Sequence, residues 1–425
     1  MIYDIGIIGG GASGLTAALT AARQDASVFI LEKEKAAGKK LLATGNGRCN
    51  FSNLTIRREN IGEMVRETGA YRTGSSETAM ITVLSAFDSS DAAAMMEALG
   101  LSFHARGDYL YPRSDQAAAV ADALRWAVAE HKKADVFCHE TAEKVSREKG
   151  LFQVTAAGGR RFSCRQLILA CGSPAGLKKE KMTNGMDLAG MLGLKTRPLY
   201  PALCPLKCSE AFLSRLAGVR TAAAVSLYID DHFAAADRGE VQLTAYGLSG
   251  IPVFQVSRYA SLALAEGRPV TAHLDLVPEM GQKDLKAHLA EVIGRHPGHS
   301  MPMILGGILN RKLADVITDL AAISKEQKAG SLDPEGLGRV VKIMKKMRFH
   351  VTGTGDLTQA QVCTGGVLLD EIDPQDMSVR RIPGLYVTGE MLDVDGICGG
   401  FNLQWAWATG SLAGRAAGRR SHDQS

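Results

Sequence analysis

The sequence lacks the cysteine spacing of a metal site or a dithiol redox site. Its eight cysteines include no C-x-x-C pair, and the nearest two, Cys204 and Cys208, have neither a second pair nor a histidine cluster beside them. Because zinc sites and redox-active dithiols need such spacing, no metal site is predicted. The cysteines are expected to be reduced, buried thiols of a cytoplasmic protein.

An excess of either charge is also lacking. Lys and Arg number 49 and Asp and Glu number 45, and the net charge of +4 is not gathered into a basic block. Since nucleic acids and anionic membranes bind concentrated Lys and Arg, neither is an expected partner. A small-molecule substrate is predicted instead, and the sequence does not indicate the oligomeric state.

No apolar run has the properties of a membrane span or a signal peptide. Residues 5–22 carry no charge, but three consecutive glycines interrupt them and no Lys or Arg precedes them. Consecutive glycines weaken a spanning helix, and a signal peptide begins with a basic region. What is present is a globular composition, with 46% apolar and 22% charged residues among 425. At roughly 100 to 200 residues per domain, two or three domains are predicted.

The N-terminal segment predicts a dinucleotide-binding turn. A short apolar strand, residues 4–8, is followed by Gly9, Gly11 and Gly14 in the spacing G-x-G-x-x-G and then by a helical stretch. In this motif the glycines permit a tight turn, a close approach to a pyrophosphate and packing of helix on strand. Glu32 ends the next strand, close to the roughly 20-residue offset of a carboxylate that accepts a ribose hydrogen bond. The alternative is a glycine-rich structural turn.

Two further segments favour FAD over a nicotinamide nucleotide as the bound dinucleotide. The loop after Glu32 is long, basic and punctuated by glycine, with the sequence KEKAAGKKLLATGNGRCN. Near the other end of the chain, an apolar strand, residues 384–388, leads to Gly389 and Glu390 and then to a helix rich in small residues. The N-terminus of such a helix stabilises negative charge on a reduced flavin ring. A helix that only docks on the domain is the alternative.

These segments, with GGGASG, AQVCTGGV and PGLYVTGEMLDVDGICGGFNLQWAWATG, resemble a family of bacterial FAD-binding oxidoreductases. This YhiN/BaiN-like family includes the aminoacetone oxidases and the reductases of 3-dehydro-bile-acid Δ4,6 intermediates. The resemblance covers both ends of the chain and several internal points, and it is specific for the family but not for one substrate. It implies an α/β fold, with a Rossmann-like FAD-binding domain built from both chain ends and an inserted β-barrel-like domain that carries a helical subdomain.

The resemblance also implies a set of FAD contacts. They are Gly9, Gly11, Ser13, Gly14, Glu32, Lys33, Lys40, Thr44, Asn46, Gly47, Arg48, Gly389, Glu390, Gly400, Phe401, Asn402 and Leu403, and the neighbouring Ala12, Cys49 and Asn50 are included in the predicted site. Many related flavoproteins carry Asp at the position of Glu390. Because the longer acid keeps the charge, only a local adjustment is expected there.

The pattern along the chain predicts a discontinuous domain organisation. The FAD-binding domain comprises 1–194 and 366–425, the β-rich substrate domain comprises 195–275 with a return strand in 347–365, and the helical insertion comprises 276–346. Helices are expected over 91–99, 116–131, 282–294, 303–323 and 336–347. Methionines around the insertion, among them Met301, Met303, Met344 and Met347, suit either a substrate pocket or core packing.

Features of other flavoenzyme classes are missing. Thr44 stands where a flavin disulfide reductase has the partner of a cysteine at the place of Cys49. No second strand-linked G-x-G-x-x-G is found, so NAD(P)H is expected only as a transient reductant at the flavin. Tyr111 and Arg113 in DYLYPR and Tyr246 in AYGLSG are candidates for polarising a substrate oxygen, with ordinary packing as the alternative.

Three functions stay open from the sequence. The preferred one is an NAD(P)H-dependent reductase of a C=C bond conjugated to a ketone, in a bulky apolar substrate such as a 3-oxo-Δ4 bile acid or steroid. The second is a flavin amine oxidase that acts on aminoacetone-like substrates with dioxygen. The third is a non-catalytic FAD-binding protein. The preference for the reductase comes from the family resemblance.

Overall fold

The chain divides into two compact units in the computed structural model, which describes residues 1–177 and 185–422. Unit 1 comprises Met1–Leu199 and Val362–Ser425, and unit 2 comprises Tyr200–Gln361. None of the described helices is long and apolar enough to cross a membrane.

The strands of the described residues are, in chain order, β1 (Ile2–Ile8), β2 (Val28–Glu32), β3 (Ser52–Asn53), β4 (Tyr71–Arg72), β5 (Phe103–Arg106), β6 (Tyr109–Pro112), β7 (Ala134–Cys138), β8 (Ala142–Glu148), β9 (Leu151–Ala156), β10 (Arg161–Leu169), β11 (Thr196–Ala202), β12 (Leu206–Cys208), β13 (Arg220–Ile229), β14 (His232–Thr244), β15 (Gly247–Ser249), β16 (Val270–Asp275), β17 (Met347–Thr354), β18 (Val362–Val367), β19 (Leu385–Val387) and β20 (Asp395–Gly396).

The helices are α1 (Ala12–Ala22), α2 (Ile61–Thr68), α3 (Glu77–Ala86), α4 (Ser89–Ala98), α5 (Ala117–Ala129), α6 (Gly185–Met191), α7 (Leu213–Leu216), α8 (Ile251–Ala265), α9 (Gln282–Arg295), α10 (Met301–Leu305), α11 (Arg311–Leu320), α12 (Pro334–Lys345) and α13 (Phe401–His422). Short 3-10 helices occupy Lys40–Gly47, Ala329–Ser331, Leu369–Glu371 and Gly389–Met391.

Unit 1 is built on a mixed sheet with a parallel centre. The strand order is β7-β2-β1-β10-β9-β8, and β19 adds to β10. β7, β2, β1, β10 and β19 pair in parallel, whereas β9 and β8 continue the sheet in antiparallel fashion. The parallel strands are apolar and buried, as expected of strands covered on both faces. The predicted α/β fold with a Rossmann-like sheet is therefore confirmed.

Both ends of the chain build unit 1, as predicted, because α13 packs closely on α1. A Cβ atom added at Gly410 would lie 2.4 Å from the carbonyl oxygen of Ser13, and one at Gly414 would lie 2.3 Å from that of Ala17. These distances leave no room for a side chain, so the small residues of α13 permit backbone-to-backbone contact. In the smaller sheets of the unit, β6 pairs with both β3 and β5, and β20 pairs with β4.

Unit 2 contains a closed barrel with the strand order β12-β15-β14-β13-β16-β17. Neighbouring strands pair in antiparallel fashion, and α8 packs on β13, β14 and β17. This barrel confirms the predicted inserted β-barrel-like fold. Met301, Met344 and Met347 are buried in the core of the unit, so their role there is packing, while Met303 is exposed.

The predicted helices agree with the structure at four of five positions, where α4, α5, α9 and α12 occur. The single helix predicted over 303–323 is wrong. The structure has α10 and α11 there, separated because Gly306 ends the first helix and Asn310 caps the second by accepting a 3.0 Å hydrogen bond from the N–H of Lys312. The domain boundaries given above stay predictions.

Candidate functional site

The predicted glycine turn lies between β1 and α1. Gly9 has φ of 107°, and a Cβ there would lie 2.3 Å from the carbonyl oxygen of Ala170 at the end of the neighbouring parallel strand. A Cβ at Gly14 would lie 1.9 Å from the carbonyl oxygen of Gly9. The turn and the helix thus pack so closely on each other and on β10 that these two positions require glycine.

Gly11 is placed differently. It is the N-cap of α1 with an extended backbone, makes no side-chain capping bond, and has nothing within 4 Å of an added Cβ. Ala12 and Ser13 begin the helix behind it. The open space in front of an uncapped helix N-terminus fits a phosphate group, since the first-turn N–H groups and the helix dipole favour an anion.

Glu32 is buried at the end of β2 and fixes the backbone around the turn. Its Oε2 accepts a 2.9 Å hydrogen bond from the N–H of Gly10, and its Oε1 accepts a 2.8 Å bond from the N–H of Glu34. The sequence predicted only a ribose contact and missed this second role. A carboxylate has about four acceptor positions, so acceptor capacity is left for a ribose hydroxyl. Lys33 lies half-buried beside it.

The loop that contains Lys40 to Arg48 reverses direction through left-handed residues. The 3-10 helix breaks at Thr44, and the following Gly45 and Asn46 have φ of 55° and 54°. Gly47 is also left-handed, with φ of 84°. Glycine and asparagine tolerate this conformation best, which explains the sequence GNG. Asn46, Gly47 and Arg48 are exposed, so the loop presents them outward.

Cys49 and Asn50 lie beneath this loop. Burial raises the pKa of the Cys49 thiol to about 11, so it stays a neutral packing thiol rather than a reactive thiolate. With its amide nitrogen facing the carbonyl oxygens of Ser52 and Leu110, Asn50 accepts a 3.3 Å hydrogen bond from the N–H of Gly400. Asn50 therefore joins the loop to the start of α13.

The segment of Gly389 and Glu390 lies against the same region. The N–H of Gly389 donates to Thr409 at 2.9 Å, and a Cβ there would lie 2.6 Å from the hydroxyl of Ser13. Glu390 pairs with Lys40 at 2.5 Å and accepts a 3.0 Å hydrogen bond from Ser173. The longer acid at position 390 thus bridges the two chain ends.

Close packing and hydrogen bonds fix the start of α13. Gly400 has φ of 94°, and a Cβ there would lie 2.5 Å from the carbonyl oxygen of Ser52. Phe401 is buried against Tyr71, whose hydroxyl donates to the Phe401 carbonyl at 2.7 Å. Asn402 exchanges two hydrogen bonds with the backbone of Gly396, and Leu403 is half-buried.

Contacts link the three predicted segments into one site in unit 1. Gly389 contacts Ser13, Glu390 pairs with Lys40, and Asn50 bonds Gly400. Residues of segments 9–14, 40–50 and 389–403 therefore meet near the N-terminus of α1. Which of them touch a cofactor stays a prediction.

The catalytic candidates fall in different places. Tyr111 is on β6, where its Cε1 lies 3.7 Å from the Cβ position of Gly45. Arg113 follows β6 and is exposed. Tyr246 lies in unit 2, in the turn between β14 and β15, and is 44% exposed. Only Tyr111 is shown to border the segment 40–50.

Sequence reasoning missed the partners of Tyr111 on the β5–β6 hairpin. His104 and Arg106 both contact the carboxylate of Asp115 beside it. Gly107 and Asp108 lie between two short strand-like runs. This is a hairpin signal, because a Gly-containing two-residue turn joins antiparallel strands. That signal would have placed His104 and Arg106 on the face of Tyr111.

A glycine turn between a parallel strand and a helix, an acid at the end of the next strand and a unit made from both chain ends define a Rossmann-type dinucleotide-binding protein. Two solved 3-ketosteroid dehydrogenases share this fold. The 3-ketosteroid Δ1-dehydrogenase of Sterolibacterium denitrificans matches with a TM-score of 0.54 at 12% identity, over 99% of this chain and 100% of that one. The 3-ketosteroid-Δ4-(5α)-dehydrogenase of Rhodococcus jostii RHA1 matches with 0.51 at 13%, over 99% and 96%.

The chain belongs to the HI0933-like family, whose Rossmann domain matches residues 3–416. It is 40% identical over 418 residues to the 3-dehydro-bile acid Δ(4,6)-reductase of Clostridium scindens, covering 98% of this chain and 99% of the relative. It is 28% identical over 410 residues to the ribosomal RNA dihydrouridine synthase of Escherichia coli, covering 96% of each. The predicted family resemblance is confirmed, and membership of this Rossmann family supports FAD as the cofactor.

Proposed function

We propose that this protein is an FAD-dependent reductase of a C=C bond conjugated to a carbonyl, with NAD(P)H as the transient hydride source. One observation carries the proposal. The two relatives named above act on different substrates, yet both names describe saturation of a C=C bond next to a carbonyl: the bond of a 3-oxo-Δ4,6 bile acid and the C5=C6 bond of uracil. The shared element is therefore the reaction.

The residues of unit 1 fit the cofactor that this reaction needs. The space before Gly11 would hold the pyrophosphate at the N-terminus of α1, and Glu32 would accept a ribose hydroxyl. Lys40, Glu390 and the start of α13 would hold the remainder. FAD supplies hydride transfer when bound, and the protein's part is to bind it, orient the substrate and stabilise the developing charge.

A bulky apolar enone is the proposed substrate class. The 40% identity to the bile-acid reductase over nearly all of both chains favours a 3-oxo-Δ4 bile acid or steroid. Uridine in RNA is the second candidate, favoured by the identities of 28% and 24% to two dihydrouridine synthases. The charge pattern argues for the first, because RNA affinity comes mostly from concentrated Lys and Arg, which the sequence lacks.

Anaerobic stopped-flow absorbance of the purified flavoprotein tests the proposal. NADH or NADPH is expected to bleach the flavin, and a 3-oxo-Δ4 steroid is expected to restore it and gain two hydrogens. Restoration only by a uridine-containing RNA would select the second candidate. Bleaching by aminoacetone alone, followed by recovery in air with peroxide release, would show an amine oxidase, and a flavin that responds to none of these would contradict catalysis altogether.

A further inference from the structure

The β5–β6 hairpin of unit 1 has one apolar and one polar face. Its register places His104 opposite Tyr111 and Arg106 opposite Tyr109. Because side chains alternate across a strand, these four residues share a face, while Leu110 is buried on the other. The hairpin thus presents a polar face, and the apolar packing of its other face holds it in place.

The polar face lies beside both segments assigned to the cofactor. The ring of Tyr111 approaches Gly45, with 3.7 Å between its Cε1 and the Cβ position of that glycine. The ring of Tyr109 approaches Gly399 before α13, with a corresponding distance of 2.9 Å. The hairpin therefore borders the proposed FAD site at residues from both ends of the chain.

Asp115 organises the charges on this face. It lies 3.0 Å from Nε2 of His104 through one oxygen and pairs with Arg106 through the other. The hydrogen bond with His104, together with the charge of Arg106, holds the pKa of Asp115 below its usual value, so the carboxylate stays ionised. The guanidinium carbon of Arg106 lies 5.5 Å from the centre of the Tyr111 ring. A cation is thereby fixed over the phenol.

The hydroxyl of Tyr111 retains its proton for a ligand. Burial raises the pKa of Tyr111, and the charges of Arg106 and Arg48 only oppose this effect, while Asp115 adds to it. The phenol is therefore protonated at neutral pH. No residue in the described part of the chain forms a hydrogen bond with its hydroxyl.

We propose that Tyr111 is the acid that protonates the α carbon of the conjugated substrate, a role that rests on the proposed function. The substrate accepts a hydride at its β carbon from FAD that NAD(P)H has reduced, and its π electron pair moves to the α carbon. There a C–H bond forms as the O–H bond of Tyr111 breaks. The substrate is reduced, FAD is oxidised, Arg106 stabilises the phenolate, and solvent water returns the proton.

Tyr111→Phe separates this role from a structural one. Reoxidation of the reduced flavin by a 3-oxo-Δ4 steroid is expected to slow by about 10²- to 10⁴-fold, the usual contribution of a general acid. FAD content, reduction by NAD(P)H and reoxidation by ferricyanide, which accepts electrons without a proton from an acid, should be unchanged. In D2O the wild-type product should carry deuterium on one face of the α carbon, and residual product of the variant should carry it on both.

A titration gives a readout that does not depend on turnover. The ultraviolet difference spectrum between wild type and Tyr111→Phe reports ionisation of this phenol. Its pKa is expected above the ordinary tyrosine value and should rise further in Arg106→Gln, because a cation that favours the phenolate has been removed. A Tyr111 pKa that does not respond to Arg106 would contradict the proposed stabilisation.

Tyr228→Phe is the matched control. This phenol lies in unit 2, where its ring packs on His273, and its removal should change none of these rates. The proposal would be overturned if Tyr111→Phe were reoxidised by the enone at the wild-type rate and gave product deuterated on one face. It would also be overturned if reoxidation by ferricyanide slowed as much as reoxidation by the enone, or if the variant lost FAD. If Tyr246→Phe slows reoxidation by the enone and Tyr111→Phe does not, the acid would be Tyr246 of unit 2 and not Tyr111. If wild type is not reoxidised by the enone, the proposed function fails before the variant is tested.

Discussion

The three motif glycines differ in how closely the folded chain packs against them, although the sequence motif does not distinguish them. Gly9 and Gly14 are pressed against backbone carbonyl oxygens at 2.3 Å and 1.9 Å from their Cβ positions. Gly11 has no protein atom within 4 Å of its Cβ position. The folded chain itself therefore needs the first two, whereas only a bound group would require the third to be small.

Gly11→Val is expected to lower the free energy of unfolding of the FAD-free protein by only about 1 kcal/mol, the cost of a poorer N-cap residue, since the side chain enters open space. FAD retention should be lost, because the added carbons occupy the space in front of the α1 N-terminus. FAD per chain after gel filtration and denaturant unfolding of the stripped protein measure the two effects.

Gly158→Val is the control for that substitution. Gly158 lies in the turn between β9 and β10, also with nothing within 4 Å of its Cβ position and without a left-handed backbone. Both stability and FAD content should stay at wild-type values. Fully loaded, yellow Gly11→Val protein would contradict the N-terminal pyrophosphate site.

Among the elements, α13 depends on α1 for its position. Its glycines allow the helix backbones to touch, and Trp405 and Trp407 are buried on the same helix. The indole of Trp405 donates to the Gly389 carbonyl at 3.2 Å, which joins the helix to the segment of Gly389 and Glu390. Packing of α13 on α1 therefore positions Glu390 and the start of α13 at once.

Gly410→Ala should destabilise the protein by about 1–3 kcal/mol, because its Cβ would lie 2.4 Å from a backbone oxygen that cannot move freely. Gly338→Ala in α12 is the matched helical control. Nothing lies within 4 Å of its Cβ position, so a gain of up to about 1 kcal/mol in helix propensity is expected. Denaturant unfolding followed by tryptophan fluorescence compares them, and equal stabilities would contradict close α1–α13 packing.

For the whole molecule, the chain enters and leaves unit 2 at neighbouring points. The N–H of Gln361 donates to the carbonyl oxygen of Leu203 at 3.3 Å, and β11 pairs with β18 just beyond. All predicted FAD contacts belong to unit 1. Unit 2 is therefore an insertion whose removal leaves two adjacent chain ends.

A chain in which an Asn-Gly turn replaces residues 204–360 is expected to fold and retain FAD, because a two-residue turn closes paired strands. Flavin absorbance that comigrates with the truncated protein on gel filtration is the measurement. The same truncation with Gly11→Val should be folded and colourless. A folded truncated chain without flavin would show that FAD binding needs residues of unit 2.

Much of the fold and part of the site were predictable because their signals are local. The glycine turn, the acid that ends β2 and the small-residue C-terminal helix each follow from residues close in sequence. The break between α10 and α11 was missed although Gly306 and Asn310 mark it, because the apolar period on either side resembled one helix. The second role of Glu32 had no local signal, since its bond to Gly10 crosses 22 positions.

By itself, the sequence determined the α/β class, the dinucleotide-binding turn and the family, because motif spacing and strand or helix periodicity are properties of neighbouring residues. Only the tertiary structure decided that Lys40 meets Glu390 across 350 positions and that the polar face of the β5–β6 hairpin borders both segments. These contacts depend on how α13 packs on α1 and β19 pairs with β10. Such packing joins distant parts of the chain, and no single stretch of sequence encodes it.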